Sequence, residues 1–172
     1  MITREQARQV LEQVTDPELP VLTIEDLGIL RDVRIEADAV VVTITPTYSG
    51  CPAMAEIRAD VEAALERAGA GRVVVETTLR PAWTTDWMTD AGRDKLRAYG
   101  VAPPSPRGRG PVDVPLTGLV GSAATRGTAH VIPCPRCGSA ETEELSRFGS
   151  TSCKSLWRCR GCREPFDRFK DH

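Results

Sequence analysis

Two cysteine pairs near the C-terminus, Cys134-Pro135-Arg136-Cys137 and Cys159-Arg160-Gly161-Cys162, stand 21 residues apart, and five of the chain's six cysteines lie between positions 134 and 162. A gap of two residues lets one tight turn aim two thiolates at a single point. Two such turns facing each other form a tetrahedral four-sulfur cage, suited to structural zinc or to a single iron. Disulfides are the rival reading. The N-terminal residues contain no apolar run like that of a signal peptide, and no window of the chain is apolar enough to span a bilayer. The expectation is a cytoplasmic protein with no membrane partner. In that reducing setting paired cysteines serve metals more often than bridges.

Segments of contrasting composition give the chain an α+β organisation in three parts. Residues 1–100 carry local signals in the order α-β-β-α-β-α. Thr3 and Gln6 form a capping box before the stripe Ala7, Val10, Leu11 and Val14, and Asp16-Pro17-Glu18 stops that helix. Residues 32–37 and 39–45 read as a hairpin turning at Ala37-Asp38, and residues 53–68 as a helix burying Met54, Ile57, Val61, Ala64 and Leu65. A third strand over 73–79 and a helix over 89–99, closed by Gly100, complete the domain. Residues 101–130 hold ten Pro or Gly and read as a linker between two independently folded pieces. Residues 131–172 read as a zinc-ribbon-like module with strands over 141–148, 155–158 and 165–169. About forty residues bury too little apolar area to fold alone. Metal binding is therefore expected to supply most of the ribbon's stability, and loss of Cys134, Cys137, Cys159 or Cys162 to unfold it while sparing the body.

The net charge of −2 hides an asymmetry. Residues 1–100 hold 11 Lys/Arg against 17 Asp/Glu, whereas residues 101–172 hold 11 against 7. An acidic body and a mildly basic tail suit docking on each other or on a protein, and are too weakly charged for strong phosphate binding. The tail's Arg136, Arg147, Lys154, Arg158, Arg160, Arg163 and Arg168 read as solvated surface. Its Phe148, Trp157, Phe166 and Phe169 read as the small core of a ribbon, so a nucleic-acid partner is not expected. Trp83 and Trp87 read as packing residues.

Cys51 stands alone, in Thr45-Pro46-Thr47-Tyr48-Ser49-Gly50-Cys51-Pro52. Pro52 suits the first position of the following helix, which would set the Cys51 sulfur at a helix N-terminus and favour its thiolate. A reactive or ligating thiol is the reading preferred over a small buried hydrophobe. Asp16 and Glu18, either side of Pro17, are either solvated acids in a helix-ending turn or part of the Cys51 pocket. Cys153 is either a spare buried thiol or a further metal or cluster ligand beside the four paired cysteines.

Taken together, Asp16-Pro17-Glu18-Leu19-Pro20-Val21-Leu22, Asp26-Leu27-Gly28 and the loop from Thr45 to Cys51-Pro52 resemble the MIP18 family (the DUF59 domain), which is associated with iron–sulfur cluster assembly. The tail segments Phe148–Lys154 and Cys162–Lys170 narrow the resemblance to the PaaD family (also called PaaJ) of bacterial phenylacetyl-CoA epoxidase systems. The resemblance implies a small MIP18-like domain followed by the ribbon. It implies an accessory role in phenylacetate catabolism, helping to assemble an iron–sulfur cluster or iron site in the oxygenase and reductase subunits, and it places a reactive or cluster-binding group at Cys51, Asp16 and Glu18. A zinc or iron ion at the four cysteines and a transient iron–sulfur cluster are the implied cofactors. No catalytic residue is expected: the chain has only His130 and His172, without the paired Glu-x-x-His of di-iron proteins, and no phosphate-cradling glycine loop. The alternative is a rubredoxin- or ferredoxin-like electron carrier in the same oxygenase system. Monomer and homodimer both remain open.

Overall fold

Thr3 starts the first helix as the capping box requires: its hydroxyl accepts from the Gln6 backbone N–H at 3.2 Å, and its own N–H donates to Gln6 Oε1 at 2.9 Å. The molecule is described by a computed structural model covering residues 2–105 and 132–171. Most of the 101–130 linker lies outside the described residues.

Helix α1 (Arg4–Leu11) buries Ala7 and Leu11 completely. Strands β1 (Leu30–Ile35) and β2 (Ala39–Ile44) form the expected antiparallel hairpin, with Val33 opposite Val42. Helix α2 (Met54–Arg67) is the crossover that lets β3 (Arg72–Thr77) pair with β2 in parallel. The central strand β2 is accordingly buried along nearly its whole length, and Ile57, Val61 and Leu65 of α2 are sealed against the sheet. A short 3-10 turn (Thr85–Trp87) leads to α3 (Asp90–Tyr99). Thr89 caps its start by accepting from the Gly92 N–H at 2.9 Å, and Gly100 ends it at φ +87°.

The Asp26-Leu27-Gly28 corner has a steric cause. Gly28 sits at φ +68°, and a Cβ there would lie 2.6 Å from the Trp87 carbonyl oxygen, so only glycine fits. Asp26 ties the corner to α3, accepting from Lys95 Nζ at 2.5 Å and from the Thr23 N–H at 3.0 Å.

In the C-terminal module β5 (Thr142–Ser146), β6 (Lys154–Cys159) and β7 (Pro165–Phe169) form an antiparallel ribbon. A fourth strand comes from the body. Val101–Ala102, at the start of the Pro/Gly-rich segment, is β4 and pairs in parallel with β7, Val101 opposite Asp167 and Ala102 opposite Arg168. Ser105 N–H donates to Asp171 Oδ1 at 2.8 Å beside it.

The two pieces do not keep separate cores. Phe166, Cys134, Cys159, Ile132 and Ala102 form a small ribbon cluster with Trp157 against it. Phe169 and Cys153, from the same ribbon, belong instead to the main core of the body, where the Phe169 ring lies 6.2 Å from that of Trp83. Phe148 departs from the expected ribbon core: it is 72% exposed, with Lys170 Nζ 4.7 Å from its ring centroid. Lys154 departs in the other direction. Expected as solvated charge, its side chain is buried, with Nζ 3.6 Å from Asp167 Oδ2.

A shared core predicts shared unfolding. Phe169→Ala is expected to cost about 3–5 kcal/mol, the range for emptying a buried aromatic site. The metal-loaded protein should melt in one calorimetric transition involving both modules. Two resolved transitions, with only the smaller moved by the substitution, would show that the modules fold separately.

Candidate functional site

Two groups of cysteines are organised differently. At the ribbon tip the first knuckle closes by the Gly138 N–H donating to the Cys134 carbonyl at 2.9 Å, with Gly138 at φ +73°. In the second, the Cys159 N–H donates to the Glu164 carbonyl at 3.0 Å, and Arg163 takes the left-handed conformation at φ +66°. The turns bring all four sulfurs within 4.8 Å of one another, with Cys134 and Cys162 3.8 Å apart and Cys137 and Cys159 3.6 Å apart. These separations are far beyond a disulfide bond of about 2.05 Å. They match the edge of roughly 3.8 Å in a tetrahedron whose metal–sulfur bonds are about 2.3 Å. The donor set therefore fits a metal ion. The backbone N–H of Cys162, 3.4 Å from the Cys159 sulfur, helps pull that thiol down to about 6, readying it as a thiolate ligand.

The second group lies where the body meets the ribbon. Asp16 is buried, and its Oδ1 accepts from the backbone N–H groups of Glu18 at 2.8 Å and Leu19 at 2.9 Å. The acid thus folds its own loop and presents Glu18, and burial pushes its carboxyl above the usual range. Glu18 Oε2 faces the Cys153 sulfur of the ribbon at 3.7 Å, across 135 residues of chain. Cys153 is fixed by the Lys170 N–H on its carbonyl at 2.9 Å and by the Thr151 hydroxyl 3.0 Å from its sulfur.

Cys51 is half-buried and packs on the same core. The helix behind it starts later than Pro52 suggests: Cys51-Pro52-Ala53 forms a turn, and α2 begins at Met54 with Ala53 as its cap. Burial pushes the Cys51 thiol up, although the Ala53 N–H and the Thr47 side chain act the other way, and the charges of Asp16 and Glu18 push it further up. The expected helix-terminus thiolate is thus overridden by desolvation and two acids. Burial likewise drives Cys153 up to about 11. Both resting thiols are protonated at neutral pH.

The structure thus brings Asp16, Glu18, Cys51 and Cys153 into one neighbourhood, with the four paired cysteines elsewhere. Sequence reasoning did not find Ser152, which interacts with the Tyr48 hydroxyl, or the buried Lys154, whose charge acts on both Asp16 and Cys153. No local signal marks either residue, because each acquires its setting only when the ribbon docks.

Comparison with known proteins agrees with both halves. Residues 4–78 match a family model described as an iron-sulfur cluster assembly protein, and residues 120–170 match one described as the PaaD zinc beta ribbon domain. Over 94% of its length the chain is 45% identical to an Escherichia coli K12 protein provisionally named as the D component of 1,2-phenylacetyl-CoA epoxidase, covering 88% of that protein. This chain belongs to the PaaD family. The front half of this family member is also 38% identical, over 51% of the chain and 85% of the relative, to a Porphyromonas gingivalis protein named Fe-S protein maturation auxiliary factor. The crystal structure of a DUF59 domain from Bacillus anthracis superposes with a TM-score of 0.51 at 29% identity, covering 54% of this chain and 90% of that one. No described helix is long and apolar enough to cross a membrane.

Two outcomes follow for the thiols. A thiol raised by burial loses its proton only at higher pH, so Cys51 alkylation by iodoacetamide should keep accelerating above about pH 8.5, where an ordinary cysteine is half ionised. A rate that levels off at or below that pH, followed by mass spectrometry, would contradict the burial argument. Chelation of the tip metal should loosen β5–β7 and speed alkylation of Cys153, buried while the ribbon is docked. Unchanged Cys153 labelling in chelator would mean that the ribbon keeps its place without metal.

Proposed function

We propose that this protein is an accessory maturation factor of a phenylacetyl-CoA epoxidase system, with Cys51 as the working thiol that passes iron or an iron–sulfur cluster to an oxygenase or reductase subunit. The observation that carries the reading is the position of Cys51. It is the only cysteine of the body, stands beside Asp16 and Glu18, and remains partly exposed at the seam with the ribbon. Iron is cargo in this role and not a resident cofactor. A protonated, half-buried thiol suits such handling, since it stays quiet until a cation displaces its proton. The maturation function named for the Porphyromonas relative and the epoxidase name of the Escherichia relative support the two sides of the reading.

In this reading the tip ion is zinc and structural. All four tip positions are filled by sulfur, which leaves no open coordination site for chemistry. The same tetrahedron also suits a single redox-active iron, and that observation favours the second reading, an electron carrier. The colour of the purified protein separates the two, because zinc thiolates are colourless and iron thiolates absorb visible light.

The decisive experiment coexpresses the client subunits with wild type or Cys51→Ser and measures client iron per chain. The expected result is a folded variant whose client carries roughly tenfold less iron, the scale on which loss of a metal-site group acts. Full client loading with Cys51→Ser would remove Cys51 from the pathway.

A further inference from the structure

The ribbon supplies a third group to the Asp16–Glu18–Cys51 neighbourhood. Cys153 sits on the ribbon loop just before β6, yet its side chain is 5% exposed and joins the core of the body. Its sulfur lies 3.7 Å from Glu18 Oε2. Two ligands bound to one metal at about 2.0–2.3 Å in tetrahedral geometry stand roughly 3.5 Å apart, so this pair is already close to ligand spacing. The loop is held from three directions: by Thr151 on the sulfur, by Lys170 on the carbonyl, and by Ser152 on Tyr48. Tyr48 in turn lies within reach of the charges of Cys51, Glu18 and Cys153.

The charge balance of the pocket points the same way. Asp16 is buried and Glu18 half-buried. Of the two lysines near the seam, Lys154 acts on Asp16 but pairs with Asp167, and Lys170 Nζ donates to the Ser152 carbonyl at 2.8 Å, so neither forms an ion pair with Asp16 or Glu18. Buried carboxylates without a full counter-charge are costly, and a bound cation relieves that cost.

We propose that Cys51, Cys153 and Glu18 form a second metal site at the seam between the modules, distinct from the four-cysteine tip, which takes one thiophilic divalent cation of the iron(II) type. Two sulfurs and one carboxylate oxygen form a borderline-soft set that prefers such ions over magnesium or calcium. The site is not closed in this conformation. Among the described residues only the tip cysteines have all their ligand atoms within 4.8 Å of one another, so Cys51 must come in. On binding, each thiol gives its proton to solvent and its sulfur bonds to the metal, with no change of oxidation state. The purpose of the ion rests on the maturation reading; its binding does not.

The test uses the full chain with zinc resident at the tip, titrated anaerobically with cobalt(II) as the spectroscopic stand-in for iron(II). Zinc is counted before and after. Wild type is expected to take one cobalt beyond its zinc, with a thiolate-to-cobalt charge-transfer band. Cys51→Ser and Cys153→Ser should each weaken binding roughly tenfold or more and diminish that band, while Glu18→Gln weakens binding and retains it. Circular dichroism and melting establish that each variant folds. If Cys153→Ser does not fold, the half-buried Cys51 and Glu18 carry the test, and cobalt binding that ignores both overturns the site. Wild type that binds no cobalt beyond its zinc, or a folded Cys153→Ser that binds as wild type, also overturns it. Should Cys51→Ser still starve the client of iron in that case, the maturation role stands and the two-thiol site falls.

Discussion

The ring of Phe169, three residues from the C-terminus, is buried in the core of the N-terminal half against Trp83. Much of the architecture depends on that insertion. It anchors β7, which pairs with β4 on the body side and β6 on the ribbon side. The Lys170 N–H beside it holds the Cys153 carbonyl, so the thiol is carried to Glu18 by the same contact that closes the core. An aromatic side chain buries on the order of 150–250 Å². That is ample to hold a forty-residue module in place once its knuckles are closed by metal.

The two cysteine groups therefore differ in physical task while remaining linked. The tip sulfurs are gathered by local turns, and backbone N–H groups draw Cys159 toward the thiolate. The seam thiols are gathered by tertiary docking, and burial together with acids holds them protonated. The docked ribbon presents Cys153 to Glu18, and Cys153 joins the surroundings of Cys51. The two sulfur groups thus sit on two neighbouring hydrophobic clusters, Cys134 and Cys159 in that of the ribbon and Cys51 and Cys153 in or against that of the body.

Most secondary structure was legible because its causes are local. The capping box at Thr3, the apolar face of Ile57, Val61 and Leu65, the Thr89 and Gly100 caps and the β-branched run at 40–42 each act over a few residues. The limits of α2 were less legible. Pro52 is compatible with a first helical turn, yet it sits in a separate turn before Ala53, since a local preference does not decide where tertiary packing begins the helix. Val101–Ala102 looked like linker because its neighbours are Pro and Gly; its pairing partner lies more than sixty residues away. Lys154 and Phe148 exchanged the environments their residue types suggest, the lysine buried with Asp167 and the phenylalanine exposed under Lys170.

By itself the sequence determined the four-sulfur tip, because ligand spacing within a Cys-x-x-Cys turn is a local geometric fact, and it determined the order of helices and strands and the family. Only the tertiary structure decided that the modules share a core, that Cys153 leaves the other ribbon cysteines to face Glu18, and that Cys51 rests as a thiol. Those properties depend on which surfaces exclude water from each other. Desolvation, unlike a turn, is set by residues that are distant in the chain.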